Sequence, residues 1–242
     1  MIRAIFFDLD GTLLPMHMNE FIETYFGAAA KKMGPLGIDV KKMIEGIWQG
    51  TGAMVQNDGS VPNETIFWNV FAQVMGEGIL EHKADFDEFY RNEFGAVQTI
   101  IHPNPAVPEL ISWLKEKGMI LAVATNPVFP ETAQLRRIGW AGLNPEDFAT
   151  VSTYENSHYC KPNAAYYQEL LDRLGLKPEE TLMVGNDAGE DMAAAKLGMP
   201  VFLVTDYLWN EKKLDITSYP QGDFAALRQY IETLLTDDTQ NG

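Results

Sequence analysis

The sequence predicts an α/β fold, a parallel sheet with helices on both faces, interrupted early by a block of helices. Three observations carry this prediction. Apolar, β-rich runs such as "IRAIFFDLD", "MILAVATN", "TLMVGND" and "PVFLVTD" stop abruptly at small polar residues, as strands buried on both faces do. Helix-period segments lie between the later runs, most of them closed by glycine, and strand–helix alternation with short links builds a parallel sheet. The stretch from about His17 to Thr99 breaks the alternation, because its apolar residues keep helical spacing throughout.

Each element follows in order. "IRAIFFDLD" is the first strand and feeds the turn "DGT". Four helical patterns come next, "NEFIETYFGAAAKKMG", "DVKKMIEGIWQG", "PNETIFWNVFAQVMG" and "KADFDEFYRNEFG". Within them Trp48, Trp68 and the phenylalanines are expected to form that block's own core. The polar, glycine-bearing "WQGTGAMVQNDGS" is expected to be a loop, either mobile and facing a site or simply solvated. Pro103, Pro105 and Pro108 in "IHPNPAVPE" favour an extended return. Four more helices are expected, at "AVPELISWLKEKG", "PETAQLRRIG", "NAAYYQELLDRLG" and "GEDMAAAKLG", with "FATVSTYEN" as a weaker fifth strand. The last helix places Phe224, Leu227, Ile231 and Leu234 on one face, and the tail "TDDTQNG" is expected to fray. The expected division is a core of residues 1–15 and 99–242 around a helical unit of residues 16–98.

Composition narrows the function classes. A hydrophobic share of 46% over 242 residues supports one sizeable core plus an insertion. The net charge is −16 without a basic cluster, which argues against gripping nucleic acid through its phosphates. Any phosphate handled here must meet locally gathered positive charge. Cys160, the lone cysteine, excludes an internal disulfide and a cysteine-based zinc site. No apolar run reaches a membrane span's length, and "MIRAIFFDLDG" lacks the pattern of a signal peptide. A soluble cytoplasmic protein acting on a small molecule, without a nucleic-acid or membrane partner, is expected.

Four segments carry chemistry. "DLDGT" sets Asp8 and Asp10 two apart at a strand end, where like charges raise one pKa and divide a nucleophile or metal ligand from a proton carrier; Asp-Gly is equally a turn dipeptide. "VATN" offers the Thr125 hydroxyl and the Asn126 amide to a phosphoryl oxygen, or merely exits a strand. Lys161, held before a proline in "HYCKPN", suits a fixed cation on a phosphoryl group, or an exposed surface lysine. "GNDAGED" presents Asp187 and Asp191 four apart, either as oxygen ligands for Mg²⁺ or as a helix cap and first turn. All four lie at, or lead on from, the carboxyl ends of expected strands, which converge on one crevice.

In that order, "FFDLDGTLL", "VATN", "CKPN" and "MVGNDAGEDMAAAKLGM" resemble the four signature motifs of the haloacid dehalogenase (HAD) superfamily. The resemblance implies a Rossmann-like core, a helical cap of the C1 type, and a Mg²⁺-dependent phosphatase acting on a small phosphorylated metabolite. It implies Asp8 as nucleophile and Mg²⁺ ligand, and Asp10 as acid and base whose backbone carbonyl also holds the metal. Thr125, Asn126 and Lys161 would bind the phosphoryl group, with Lys161 also neutralising Asp8. Asp187 would ligate Mg²⁺, with Asp191 ligating it or orienting a metal-bound water, and Glu190 would face solvent. The fourth motif departs from the family's commonest form because Asn186 follows the glycine, so Asn186 could stand in the first ligand's place instead of Asp187. Asp10 argues against a dehalogenase, since halide needs no proton. A phosphomutase of the β-phosphoglucomutase type shares all four motifs, and a non-catalytic phosphate-binding module has no need for both Asp8 and Asp10.

Overall fold

In a computed structural model, which describes residues 1–240 and side chains through 236, six parallel strands form one sheet. They are β1 (Ala4–Phe7), β2 (Ile120–Val123), β3 (Thr150–Val151), β4 (Thr181–Gly185), β5 (Val201–Val204) and β6 (Gln221–Gly222), in the Rossmann-like order β3-β2-β1-β4-β5-β6. From β1 the chain builds outward to β2 and β3, then returns to β4 and builds the other way. The reversal opens a crevice beyond the carboxyl ends of β1 and β4, whose registers pair Phe7 with Val184.

The two-residue period of β1 explains why its run is apolar throughout. Ile5 and Phe7 point into one core with Leu121, Val123, Phe202 and Leu227. Ala4 and Phe6 point into the other, with Tyr166, Tyr167, Leu170 and Met183. Each fully buried phenylalanine contributes roughly 2–3 kcal/mol from burial alone, so sliding β1 by one residue would forfeit both faces. Strand β6 escapes the sequence because it is a two-residue edge with no apolar run, held by Leu203 N donating to Pro220 O and Thr205 N to Gly222 O.

Helices α1 (Met18–Met33), α2 (Val40–Val55), α3 (Asn63–Met75) and α4 (Lys83–Arg91) occupy the early block. The core helices are α5 (Ala106–Glu116), α6 (Glu131–Trp140), α7 (Ala164–Leu174) and α8 (Phe224–Gln240). Asn163 caps α7 by accepting from Ala165 N, and Gly175 ends it at φ 63°, the start and stop its sequence signals. Helix α8 runs to Gln240 and so includes most of the tail expected to fray, and Asn241 and Gly242 lie outside the described residues.

One expected loop is a helix. Residues 48–55 of "WQGTGAMVQNDGS" complete α2, because Gly46 and Gly50 are contact points rather than breaks. A Cβ on Gly46 would lie 2.8 Å from the Phe71 ring and one on Gly50 2.7 Å from the Phe67 ring. The bare glycine surface thus lets α3 approach α2 closely.

The helical block joins the sheet through buried polar contacts. Asn63 N donates to Ser157 O at 2.9 Å and Glu64 N to Tyr154 O at 2.8 Å. The buried Asn63 side chain accepts from Asn57 Nδ2 at 2.8 Å and donates toward Pro127 O and Tyr159 O at 3.4 Å. On the other side Arg136 donates to Tyr90 O at 3.0 Å. Asn63→Ala should lower the unfolding free energy by about 1–3 kcal/mol, since buried partners lose their bonds. Urea denaturation would show a lower midpoint at an unchanged m-value.

Candidate active site

Asp8 follows β1 directly, its N–H donating to Val184 O at 2.8 Å, and that bond aims its carboxylate into the crevice. Lys161 arrives from the turn before α7, just after Cys160, and is buried. Its Nζ donates to Asp8 Oδ1 at 2.8 Å and to Asp191 Oδ1 at 2.6 Å. Burial alone lowers the lysine pKa, but Asp191 and Asp8 outweigh it and hold the ammonium well above its ordinary value. Burial works against the charged form of Asp191, and Lys161 pulls the other way. Both Asp191 oxygens nevertheless accept bonds, the second from Asp187 N at 2.8 Å, and that geometry belongs to the ionised form. A Cβ on Gly185 would overlap the Asp191 carboxyl group, so glycine at the end of β4 makes room for this bridge.

Asn126 ties the second, third and fourth motifs together. Its Oδ1 accepts from Lys161 N at 3.2 Å and its Nδ2 donates to both Glu190 oxygens at 3.0 Å. Glu190 therefore faces the site instead of solvent, contrary to its position in a polar run, and burial raises its pKa to about 7. Tyr167 adds a hydroxyl donating to Glu190 O at 2.6 Å. Thr125 is buried beside these groups on the wall of the same cavity, its carbonyl accepting from Tyr166 at 2.8 Å.

Asp10 has a partner that the motifs do not reveal. Arg137, fully buried on α6, donates to Asp10 Oδ2 and to Gln134 Oε1, and its guanidinium lies 4.5 Å from the centre of the Phe129 ring. Burial raises Asp10 to about 6, with Arg137 opposing and Asp8 adding to the rise. Asp10 Oδ1 is buried without a hydrogen-bond partner. Strand β1 ends at Phe7, so the strand period does not align Asp8 and Asp10. They face one cavity but bind different cations. Arg137 escaped sequence reading because its segment "QLRRIG" looks like a solvated helix face, and only the α6 packing turns it inward.

Asn186 and Asp187 both line the cavity but are tied differently. Asn186 Nδ2 donates to Tyr207 O at 2.7 Å, and Oδ1 accepts from Thr12 Oγ1 at 3.0 Å, whose hydroxyl also reaches Asp8 Oδ2 at 3.5 Å. Gly11, at φ 86°, makes this possible, since a Cβ there would overlap the Asn186 amide. Asp187 Oδ1 instead accepts from Gly189 N at 2.7 Å and Glu190 N at 2.8 Å. Among the described residues no three acids, histidines or cysteines converge closely enough to hold an ion by themselves. A cation here would rest on few carboxylates plus neutral carbonyl or amide oxygens, a hard-oxygen set suited to Mg²⁺ with retained waters.

Apart from Lys161, which is buried against Asp8 and Asp191 without lining it, the sequence-derived residues thus gather on one cavity of about 840 Å³. Asp8, Lys161 and Asp191 are bonded to one another, Asn126 is one bond away, and Asp10 is paired separately. Trp48, expected in the core of the helical block, is 50% exposed and lines the cavity, whereas Trp68 is buried.

A buried Asp–Lys–Asp bridge at the switch point of this sheet defines a class. The chain belongs to the haloacid dehalogenase-like hydrolases, whose family model matches residues 2–198. It is 27% identical over 216 residues to glyceraldehyde 3-phosphate phosphatase of Methanothermobacter thermautotrophicus, covering 86% of this chain and 88% of that one. It is 24% identical over 237 residues to phosphoglycolate phosphatase of Vibrio vulnificus, covering 97% and 96%. The fold is shared with a crystal structure of a HAD phosphatase from Thermococcus onnurineus, at TM-score 0.61 and 19% identity over 95% and 98% of the two chains. It is shared equally with a 2-haloacid dehalogenase from Pseudomonas syringae, at TM-score 0.61 and 20% identity over 98% and 99%.

Two outcomes follow from the electrostatics. Lys161→Met leaves two buried acids unpaired and should cost ~3–5 kcal/mol of unfolding free energy at pH 7 in metal-free buffer, measured by urea titration. Glu190, with a folded pKa of about 7 against 4.5 unfolded, binds its proton more tightly in the native state. Its ionisation therefore erodes stability as pH rises between those values. Glu190→Gln should stabilise the protein by about 1–2 kcal/mol at pH 8 and leave it unchanged near pH 4. An equal effect at both pH values would count against this assignment.

Proposed function

We propose that this chain is a Mg²⁺-dependent phosphatase that hydrolyses a small phosphomonoester through an aspartyl-phosphate on Asp8. One observation carries the reading: Lys161 holds Asp8 Oδ1 while Asp8 Oδ2, with only a long contact to Thr12, faces the cavity. A carboxylate so held is oriented with one oxygen free to attack, as a nucleophile needs to be. Family membership and the names of the relatives support the same reaction class.

In the first step Asp8 Oδ2 attacks phosphorus and the bond to the leaving oxygen breaks. Asp10 delivers a proton to that oxygen, and a carboxyl group titrating at about 6 is suited to carry one near neutrality. Its partnerless Oδ1 is the atom we assign to this transfer. In the second step Asp10, now a carboxylate, takes a proton from water as the water oxygen attacks phosphorus, which frees phosphate and restores Asp8. Lys161 offsets negative charge on the phosphoryl group, with Thr125 and the backbone at Asn126 as further donors. Helices α1–α4, together with the segment through residue 98, serve in this reading as the cap, excluding water from the reacting atoms.

We assign the metal to Asp8, the backbone carbonyl of Asp10, and Asn186 Oδ1. The amide oxygen takes precedence over Asp187 because Thr12 links Asn186 to Asp8, whereas Asp187 Oδ1 is committed to two backbone donors. Asp191 then acts through Lys161 and the Asp187 N–H. When bound, Mg²⁺ would neutralise the phosphoryl oxygens and lower the repulsion between a dianion and this acidic site.

With Mg²⁺ and a panel of phosphomonoesters, phosphate release should be abolished by EDTA and by Asp8→Asn. Rapid acid quench of the wild-type protein should yield phosphate on Asp8 by mass spectrometry; turnover undiminished in excess EDTA would sink the mechanism. For the ligand assignment, Asn186→Ala should raise the Mg²⁺ concentration for half-maximal activity by roughly tenfold or more. Asp187→Asn should shift it less, and the reverse order would move the ligand to Asp187.

A further inference from the structure

The cavity has two unlike ends. Its floor is the polar set around Asp8, whereas the wall supplied by α1–α4 and the facing core loop is largely aromatic. Phe21, Tyr25, Trp48, Phe67, Tyr90 and Phe129 all line it. These rings pack against one another, as with Phe21 edge to face against Phe129 at 5.7 Å and Trp48 tilted against Phe26 at 5.6 Å, so the wall is preformed. Trp48 stays half exposed at its edge, an indole held in place without being used up by the core.

Charge on the wall is one-sided. No lysine or arginine is among the described residues that line the cavity, while Asp87, Asp206 and Glu211 are. The nearest cations are committed, Lys161 to Asp8 and Asp191, and Arg137 to Asp10. His17, its ring tilted against that of Tyr207 at 4.9 Å, is the lone imidazole on the lining among the described residues. A leaving group bearing its own carboxylate would lose its water and meet acids and rings, which is unfavourable twice over. A cavity of about 840 Å³ also exceeds what a two- or three-carbon phosphate fills, since pockets of this order take ligands of drug size.

From this arrangement we infer that the preferred substrate is a phosphomonoester whose leaving group is an uncharged, ring-bearing alcohol, bound with its ring against the cap aromatics. This rests on the phosphatase reading above and separates the chain from relatives named for glyceraldehyde 3-phosphate and phosphoglycolate.

The test uses three esters of primary alcohols, 2-phenylethyl phosphate, ethyl phosphate and phosphoglycolate. Their stable phosphonate counterparts are 3-phenylpropylphosphonate, propylphosphonate and 3-phosphonopropionate, and all are assayed on the full chain with Mg²⁺. By calorimetry the phenyl phosphonate should bind roughly 30- to 100-fold more tightly than propylphosphonate, the gain from burying one ring, and 3-phosphonopropionate should bind weakest. The esters should follow the same order in kcat/KM. Trp48→Ala should weaken phenylpropylphosphonate binding by about 5-fold or more while changing propylphosphonate binding less than 2-fold. The inference is overturned if 3-phosphonopropionate binds as tightly as the phenyl compound, if the ring adds no affinity, or if none of the phosphonates binds. Tight, ring-dependent binding without phosphate release from any of the esters would instead remove the phosphatase reading and leave the pocket assignment standing.

Discussion

The contact on which the rest of the site depends is Lys161 between Asp8 and Asp191, with all three side chains almost wholly out of water. An ammonium stranded there would lose its proton, and either acid alone would gain one. Together they offset that cost, because each carboxylate gives the Lys161 ammonium the attraction that burial removes from solvent. The bridge also joins the ends of β1 and β4 to the turn before α7, three places far apart in sequence. Asn126 and Glu190 extend it to the end of β2 and along the lining of the cavity. The two acids outnumber the lysine by one charge, and that residual negative charge suits a site that also admits a cation.

Around this floor the protein builds walls of low polarity. Phe129, which bounds the cavity, also stacks against the Arg137 guanidinium that holds Asp10. One aromatic layer thus serves both substrate space and the placement of a charged pair. Excluding water removes the solvation of the charged form, which explains why Asp10 and Glu190 sit above ordinary carboxylates although Arg137 and Lys161 pull the other way. The roof depends in turn on details such as Gly46 and Gly50, where a missing Cβ lets α3 approach α2 and carry Phe67 to the cavity.

Much of this was legible along the chain. Strands β1, β2, β4 and β5 announced themselves because burial on both faces leaves no polar residue in the run. Asp8, Thr125, Lys161 and Asp191 could be found because each lies at a strand end or leads on from one, where a parallel sheet must converge. What was misread has a common cause. Trp48 and Trp68 share one sequence signature, an aromatic at helical spacing, yet one edges the cavity and the other is buried. Glu190 resembles any acid in a helix's first turn until Asn126 reaches across to it. Gly50 and Gly52 resemble loop residues until the ring of Phe67 is placed against the helix.

The sequence by itself determined the sheet, the order of its elements, the helical block and the identities of the acids and lysine that meet. Local patterns encode those features, because period and strand-end chemistry are properties of neighbouring residues. The tertiary structure alone decided the pairing of Asp10 with Arg137, the inward turn of Glu190, the link from Asn186 through Thr12 to Asp8, and the aromatic wall. Those features arise between segments as much as 174 residues apart, where only packing fixes which face of a helix, and which end of a side chain, meets the other.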